Sequence, residues 1–456
     1  MARGMCDTKN VITAVLAVTL GLVQMVSAAT PASASPEKCV DEEPSWYTYL
    51  SIPFVAGVVG WGTNWVAIKM TFFPVEFIGW DLWRPEGEPI GFFGWQGIIP
   101  AKAAKMAAIS VDLLTQRLFN VREIFARLDA DKFSEEFRPG TEKIMLKLVP
   151  EIARDLMPGV WETLPGRVRR ALLRKMLDDN RVMVRDLLDE MRENVDQVLD
   201  LRTMCIASIV EHKELLNNCF LKCGAKEFPF IVNSGFYFGF LFGLIQMVVY
   251  IFFPHEGWVL PVFGLVVGYA TNWLALWLIF NPIEKTQYCC GRVTMQGLFL
   301  KRQAEVSAEF ARINSSTLLT SEKMWESILT GPRNIQFRYM LNRHSRAFAK
   351  TLLGRLRAFL GAHLGHDAHV DALQDRIADR IMEEMPGQIH YVHEYTEAAL
   401  GMETELREKM AALPSAEFEG VLHPAFQEDE IKLILVGAVL GLGVGFFQLY
   451  VVFTSC

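Results

Sequence analysis

Three histidines at a spacing of three residues could bind a metal ion. His363, His366 and His369 belong to a group of five histidines that ends at His393, out of nine in the chain. Histidine and carboxylate side chains at helical spacing suit zinc or a similar ion. Against this, Gly365 indicates a solvated loop, and the other half of the chain has no such histidines. A metal site and an exposed loop both remain open.

Signatures of catalysis and of nucleic-acid binding are otherwise missing from the sequence. It contains no nucleophile elbow, phosphate-binding loop, zinc-protease motif or dinucleotide-binding glycine pattern in a supporting context. The eight cysteines are scattered and lack the paired spacing of a zinc site. A net charge of -7 argues against a nucleic-acid surface. We therefore predict no enzymatic activity, no cofactor and no nucleic-acid partner.

Four amide side chains lie within apolar stretches, where an unpaired amide is costly. They are Asn64, Gln246, Asn272 and Gln448. We expect them to face neighbouring helices and to contribute to packing. The alternative is that they line a polar path for an ion or small solute. Lys69, the one firmly charged residue inside such a stretch, corresponds to the uncharged Trp277, which favours packing over a symmetric pore.

The stretches that carry these amides are long enough to cross a bilayer, which takes about 20 helical residues. They span residues 50–72, 232–253, 258–280 and 432–453. A shorter apolar stretch follows Arg3 and Lys9 and ends in small residues, which predicts a cleavable signal peptide within residues 1–34. An uncleaved first span is the alternative. Residues 35–49 then form a short exterior segment.

An internal duplication organises the chain. Residues 58–76 read VVGWGTNWVAIKMTFFPVE and residues 266–284 read VVGYATNWLALWLIFNPIE, at a constant offset of 208 residues. The Gln96-Gly97 pair recurs as Gln296-Gly297. Near the end of each copy, the residues Gly235, Gly239, Gly243 and Gln246 recur as Gly437, Gly441, Gly445 and Gln448.

This duplication predicts an all-α membrane protein in which two tandem parallel repeats form a four-helix transmembrane bundle. Repeat 1 covers residues 50–253 and repeat 2 covers 258–453. Each repeat contains a long helical cytosolic domain, at about 101–225 and 301–430. Pro150 predicts a kink or a helix start in the first domain. Met157-Pro158-Gly159 and Met385-Pro386-Gly387 predict a break between helices in each domain.

Small residues four apart predict where the membrane helices touch, because lipid supplies no hydrophobic force between helices. The candidate packing or polar residues of the bundle are Gly60, Thr63, Asn64, Gly239, Gly243 and Gln246 in repeat 1, and Gly268, Thr271, Asn272, Gly441, Gly445 and Gln448 in repeat 2.

An aromatic stretch and a basic loop follow the first helix of each repeat. The loop residues are Gln96, Gly97, Pro100 and Lys102 in repeat 1, and Gln296, Gly297, Lys301 and Arg302 in repeat 2. Aromatic residues at headgroup depth with cations beside them suit an interfacial hairpin that touches anionic lipid. Ordinary membrane-boundary chemistry is the alternative.

The distribution of lysine and arginine predicts the topology. The edges of both long polar regions are rich in Lys and Arg, whereas residues 254–257 and the C-terminal tail carry none. The positive-inside bias therefore places both helical domains in the cytosol, with the termini and the 254–257 loop exterior or luminal. Cys39 and Cys456 both fall on the predicted exterior, where a disulfide between them is a further hypothesis.

The motif set resembles a known family. G-[WY]-x-T-N-W-x-A, then F-x-P, then Q-G-[IL], then G-x-x-x-G-x-x-Q is similar to an uncharacterised membrane-protein family catalogued as domain of unknown function 445. The resemblance covers roughly residues 50–453. It departs from the family at Leu300, which takes the place of Pro100. It implies a multi-pass membrane location and a helical domain, and it supplies no reaction and no catalytic residues.

The predicted function follows from the long helical regions. Their apolar stripe is either a core face or a groove that handles lipid or a partner helix. We predict a membrane-anchored helical scaffold or a lipid- or partner-interacting protein. Its partners are the lipid bilayer and a protein or lipid at the helical domains. The alternative is a transporter or channel for a small solute or ion that uses the repeat interface.

Overall fold

A computed structural model describes residues 46–80, 87–91, 93–118, 120–156, 159–252, 258–288, 293–360, 367–423 and 430–453. Several predictions lie outside the described residues: the signal peptide within 1–34, nearly all of the 35–49 segment, the 254–257 loop, Cys39, Cys456, His363 and His366. Of the three candidate metal ligands, only the backbone of His369 is described.

The first half of the described chain contains twelve helices and three short strands. In chain order they are α1 Trp46–Phe72, β1 Ile78–Trp80, β2 Ile90–Gly91, β3 Phe93–Trp95, α2 Ile98–Ala101, α3 Ala103–Leu113, α4 Val121–Phe125, α5 Ala130–Glu136, α6 Arg138–Leu156, α7 Val160–Thr163, α8 Gly166–Glu193, α9 Val195–Val198, α10 Leu201–Glu211, α11 Lys213–Cys223 and α12 Glu227–Phe252. A π-helical turn, Leu114–Leu118, follows α3.

The second half begins with another long apolar helix. Its elements are α13 Val259–Phe280, β4 Thr286–Tyr288, β5 Val293–Met295, α14 Leu298–Lys301, α15 Gln303–Thr317, α16 Ser321–Thr330, α17 Asn334–Leu360, α18 Asp367–Glu384, α19 His393–Leu400, α20 Met402–Ala412, α21 Ser415–Leu422 and α22 Glu430–Phe447. A 3-10 turn, Ile389–Val392, precedes α19, and a π-helical turn, Gln448–Phe453, follows α22.

Four of these helices are long and apolar enough to cross a membrane: α1, α12, α13 and α22. They begin and end within about two turns of the four apolar helices predicted from the sequence. Large apolar side chains remain exposed on them, among them Trp61, Trp65, Tyr237 and Trp273. Such surfaces are costly in water and favourable in hydrocarbon, so this composition is typical of helices that face lipid.

The chain divides into two compact units. Unit 1 consists of the described residues within Met1–Ser110, Ile209–Phe310 and Met410–Cys456, and it contains the four apolar helices. In it α1 packs mainly against α12, and α13 mainly against α22. One of its clusters joins Ile52, Tyr250 and Leu260, and another joins Ala67, Ile98 and Leu433.

Two small antiparallel sheets follow the first apolar helix of each pair. The first has the strand order β1–β3–β2, with Ile78 opposite Trp95 and Trp80 opposite Phe93. The second pairs β4 with β5 and places Thr286 opposite Met295. The sequence predicted a hairpin here but no strands, because three residues are too few to show an alternating pattern.

Unit 2 is the helical unit formed by Val111–Ser208 and Ala311–Lys409. The sequence assigned these two regions to separate domains, at about 101–225 and 301–430. In the structure they pack on each other. The ring centroids of Phe133 and Trp325 are 5.4 Å apart, and Lys147 Nζ lies 2.6 Å from a Glu384 carboxylate oxygen. Residues 209–225, 301–310 and 410–423 belong to unit 1 instead. Hydrophobic periodicity reveals an apolar face but not its partner, which is why the sequence did not show this pairing.

Two of the helix breaks predicted in unit 2 are helix ends in the structure. α6 ends at Leu156, directly before Met157-Pro158-Gly159, and α18 ends at Glu384, before Met385-Pro386-Gly387. For Pro150 the sequence predicted a kink or a helix start, and its position inside α6 excludes the helix start.

Candidate functional site

An asparagine side chain joins the two helices of each apolar pair in unit 1. Asn64 Nδ2 on α1 donates to the Ile231 carbonyl of α12 over 2.7 Å. Asn272 Nδ2 on α13 donates to the Leu433 carbonyl of α22 over 2.9 Å. Both asparagines are buried. The two contacts occupy corresponding positions of the duplicated motifs, so one arrangement occurs in both pairs.

The glycines of the motifs lie where the helix backbones touch. A Cβ atom added at Gly60 would come closer than 3.0 Å to the Gly235 carbonyl, and one added at Gly268 would meet the Gly437 carbonyl equally closely. Real Cβ atoms essentially never show such distances, and the obstructing atoms are backbone. The corresponding positions of both pairs therefore have no room for a side chain.

The glycines further along the closing helices make the same kind of contact. An added Cβ at Gly239 would collide with the Ala56 carbonyl, and one at Gly441 with the Gly264 carbonyl. At Gly243 it would lie 2.6 Å from Pro53 Cα, and at Gly445 it would lie 2.6 Å from Pro261 Cα. Three successive turns of each pair are thus in backbone contact.

The remaining polar packing candidates are buried in unit 1 but differ in their hydrogen bonds. Thr63 and Thr271 donate within their own helices, to the carbonyls of Gly60 (3.1 Å) and Val267 (2.8 Å). Gln246 and Gln448 are buried. Among the side chains that the structure describes, Gln448 Nε2 is a buried donor without a hydrogen-bond partner.

The Gln-Gly loops fold back onto the ends of α1 and α13. Gln96 Nε2 donates to the Val75 carbonyl (2.6 Å), and Gln296 Nε2 donates to the Ile283 carbonyl (3.3 Å). The Gly97 amide donates to the Pro74 carbonyl, and the Gly297 amide to the Pro282 carbonyl. Each loop leads into a four-residue helix with a buried third residue, Pro100 in α2 and Leu300 in α14.

The basic loop residues differ in their surroundings. Lys301 is exposed and Lys102 is half-buried. Arg302 forms ion pairs with two carboxylates, those of Glu227 and Glu305. Lys226 Nζ lies 2.8 Å from the same Glu305 carboxylate. Hydrogen bonds from Lys226 and Arg302 lower the pKa of Glu305 to about 2. The side chain of Glu227 is only 3% exposed, so this carboxylate depends on Arg302 for charge compensation.

A cavity of about 40 Å³ lies among the apolar helices of unit 1. Its polar lining residues are Asn64, Thr71, Glu227 and Asn272, and the others are apolar or glycine. Asn64 Oδ1 and Glu227 Oε2 are buried acceptors without a hydrogen-bond partner in the part of the chain that the structure describes. The surface of the cavity is almost wholly apolar, and these two acceptor atoms are enclosed by protein.

Sequence reasoning missed Glu227. The predicted span began at residue 232, so this carboxylate fell just outside it, and its partner Arg302 lies 75 residues away. The signal that could have found it is a carboxylate directly before a glycine-rich apolar helix.

Unit 2 contains a groove of about 710 Å³. Phe337 and Leu341 are buried at its wall and Met382 is half-buried, whereas Arg338 and Asp379 are exposed charged residues. Burial of Phe337 and Leu341 agrees with the core face that the sequence predicted, and a groove that binds lipid or a partner helix stays a prediction. No group of three or more His, Cys, Asp or Glu side chains within the described ranges is placed to hold a metal ion.

Comparison of the chain with protein-family models, with curated proteins and with solved structures found no significant match. The resemblance to the uncharacterised family therefore stays a prediction. The structure by itself defines the class: a mainly helical protein with four helices long and apolar enough to cross a membrane.

Proposed function

We propose that the chain is a multi-pass membrane protein in which two tandem, parallel copies of one helix pair form a compact transmembrane bundle that anchors a helical scaffold. The observation that carries this proposal is the correspondence between the two pairs. The Asn64–Ile231 and Asn272–Leu433 bonds, and the backbone contacts beside them, recur position by position. Membrane helices associate through close backbone packing and through hydrogen bonds from buried side-chain amides.

The packing of the bundle favours a structural role over a function that requires the helices to move against each other. Because three turns of each pair touch through backbone atoms, sliding or rotating one helix against its partner would break several contacts together. We therefore assign the binding function to the two long polar regions that the bundle anchors. Both long polar regions lie on one side of the membrane, the cytosol, in this proposal. They bind lipid or a partner, for which the groove lined by Met382, Arg338 and Asp379 in unit 2 offers a site.

The hairpin formed by β1, β2 and β3 after α1 supports contact with lipid. Ile78 and Trp80 are 68% and 70% exposed, and β1 begins soon after α1 ends at Phe72. Tryptophan at the end of a span is typical of the membrane–water interface. The bilayer that surrounds α1 is therefore the partner that this hairpin is expected to meet.

We expect position 80 to report contact with lipid headgroups in reconstituted liposomes. Trp80→Cys, labelled with an environment-sensitive dye in a background without other cysteines, should be quenched by nitroxide-bearing lipid. Glu326→Cys, at an exposed position of α16 in unit 2, is the matched control and should not be quenched. Equal quenching at both positions, or none at position 80, would show that the hairpin does not lie in the interface.

A second candidate function is transport of a small solute or ion along the bundle. The cavity lined by both Asn64 and Asn272 favours it, because a solute path needs polar groups inside the membrane. In reconstituted liposomes, flux that disappears after Asn64→Leu and Asn272→Leu substitution would support this function. The scaffold proposal expects no flux in the parent chain.

A further inference from the structure

The first half of α8 carries a run of basic residues. Residues 164–177 contain five Lys and Arg residues and no Asp or Glu, although the chain as a whole has a net charge of -7. Four of these five side chains are exposed: Arg167, Arg170, Arg174 and Lys175. The three arginines follow each other at spacings of three and four residues, which places them one above another on the helix surface. We call these four exposed side chains the cationic face of α8.

The opposite face of α8 holds the helix in unit 2. Met176, Asn180 and Met183 are buried there. The helix packs against α5, α6 and α17. With about 3.6 residues per turn, these buried positions lie across the helix from Arg167 and Arg174. The contacts of α8 with its neighbours in unit 2 therefore leave the cationic face exposed.

The cations in the second half of the same helix are paired. Arg181 Nη1 lies 3.3 Å from a Glu135 carboxylate oxygen, and Arg192 Nη1 lies 3.0 Å from Asp189 Oδ1. No carboxylate in the described ranges forms an ion pair with the cationic face. Like charges three or four residues apart destabilise a helix, and α8 also lacks the acidic residue that its first turn favours. An anionic partner outside the described residues would offset both effects.

The chemistry of the segment favours a lipid surface over a nucleic acid. Residues 164–177 contain no aromatic side chain on which a base could stack. Four to eight Lys and Arg residues on an amphipathic helix are typical of surfaces that bind anionic lipid headgroups. The four membrane-length helices also tether unit 2 to a bilayer, which raises the local concentration of headgroups.

We infer that the cationic face of α8 binds a membrane surface rich in anionic lipid, such as one that contains phosphatidylserine. The guanidinium and ammonium groups donate hydrogen bonds to headgroup phosphate and carboxylate oxygens, and their charges attract the anionic leaflet. The inference rests on the proposed function and deepens it. It assigns lipid binding to one surface of unit 2 and specifies the charge of the lipid.

The test places an environment-sensitive dye within the cationic face. Ala171→Cys, at an exposed position of α8, is labelled in the full-length chain without other cysteines. In one arm the chain is reconstituted in liposomes of phosphatidylcholine, phosphatidylserine and nitroxide-bearing lipid. In the other arm it sits in phosphatidylcholine nanodiscs, and separate vesicles of the first composition are added. We expect quenching in at least one arm, and that arm identifies the membrane that is bound. Quenching that persists without phosphatidylserine, or no quenching in either arm, would overturn the inference.

Salt and a second label separate this inference from the proposed function. Raising the salt concentration from about 0.1 M to about 1 M shortens the Debye length from about 10 Å to about 3 Å, so quenching at position 171 should disappear. Quenching of labelled Trp80→Cys in the liposomes should remain. If position 80 is quenched and position 171 is not, the inference fails and the membrane role stands. If neither position is quenched, both fail.

A charge variant and a matched control locate the binding surface. Arg167→Gln, Arg170→Gln, Arg174→Gln and Lys175→Gln together should abolish the quenching at position 171, because each cation at an anionic surface contributes about fivefold in affinity. The control removes four positive charges that lie beside carboxylates elsewhere in unit 2, and it should keep the quenching. Its substitutions are Arg122→Gln, Arg185→Gln, Arg202→Gln and Arg346→Gln. Equal quenching in the two variants would contradict the inference.

Competition with RNA tests the other class of anionic partner on the parent chain. An RNA oligonucleotide should suppress the quenching only when its phosphates greatly outnumber the anionic headgroups. Suppression when its phosphates are fewer than the headgroups would assign the cationic face to nucleic acid and overturn the inference. This measurement and the salt series need no charge variant, so they also decide the case in which the fourfold variant does not fold.

Discussion

Replacing Gly60 by alanine should destabilise the bundle by about 1–3 kcal/mol, the range for overpacking a tightly packed site. The added Cβ would collide with the Gly235 carbonyl, which is backbone and cannot rotate away. Relief therefore requires α1 and α12 to separate, and separation weakens the Asn64–Ile231 bond as well. The measurement is the mole fraction of denaturing detergent in mixed micelles at which half of the purified protein is unfolded.

Gly62→Ala is the matched control. Gly62 lies on the same helix two residues away, and an added Cβ there would have no atom within 4 Å. This variant should unfold at the same or a higher fraction of denaturing detergent than the parent, because alanine has a higher helix propensity than glycine. Gly268→Ala should behave like Gly60→Ala, since its Cβ would meet the Gly437 carbonyl. Equal stability of the Gly60 and Gly62 variants would contradict the assigned packing.

Replacing Arg302 by methionine should cost about 3–5 kcal/mol, the penalty for removing one partner of a buried ion pair. Methionine keeps much of the volume but leaves the Glu227 carboxylate, 3% exposed, without its compensating charge. Lys226→Met is the control. It also removes a cation from Glu305, but at an exposed pair, and should cost about 0.5 kcal/mol or less. Unfolding in mixed micelles measures both.

A double variant separates loss of charge from loss of packing. Arg302→Met combined with Glu227→Gln leaves no buried charge, so it should regain most of the stability lost in Arg302→Met alone. A double variant as unstable as the single one would show that Arg302 acts through its packing and not through Glu227.

The sequence predicted the parts of this fold that depend on local pattern. Apolar length alone located the four membrane-length helices, and Met157-Pro158-Gly159 and Met385-Pro386-Gly387 marked helix ends. Burial of Asn64 and Asn272 against partner helices follows from the cost of an unpaired amide in hydrocarbon, and the structure places both there.

The features that the sequence did not reveal depend on contacts between distant residues. The Glu227–Arg302 pair joins the first residue of α12 to the residue between α14 and α15, 75 residues away, and no periodicity connects them. The association of residues 111–208 with 311–409 depends on which apolar faces meet, as Phe133 and Trp325 do. Pro150 lies inside α6, which excludes the helix start that was one of the two predictions for that position. Packing with neighbouring helices such as α8 can continue a helix through a proline.

The central claim is a chain that crosses the membrane four times with both long polar regions on one side. Single-cysteine variants at Glu142, Glu326 and Glu256, in a background without other cysteines, test it with a membrane-impermeant maleimide on intact cells. Positions 142 and 326 are exposed in unit 2, and position 256 lies between the second and third spans. The account predicts labelling at position 256 in intact cells, and labelling at 142 and 326 only after permeabilisation. Labelling of 142 and 326 from opposite sides, or of all three positions alike, would contradict it.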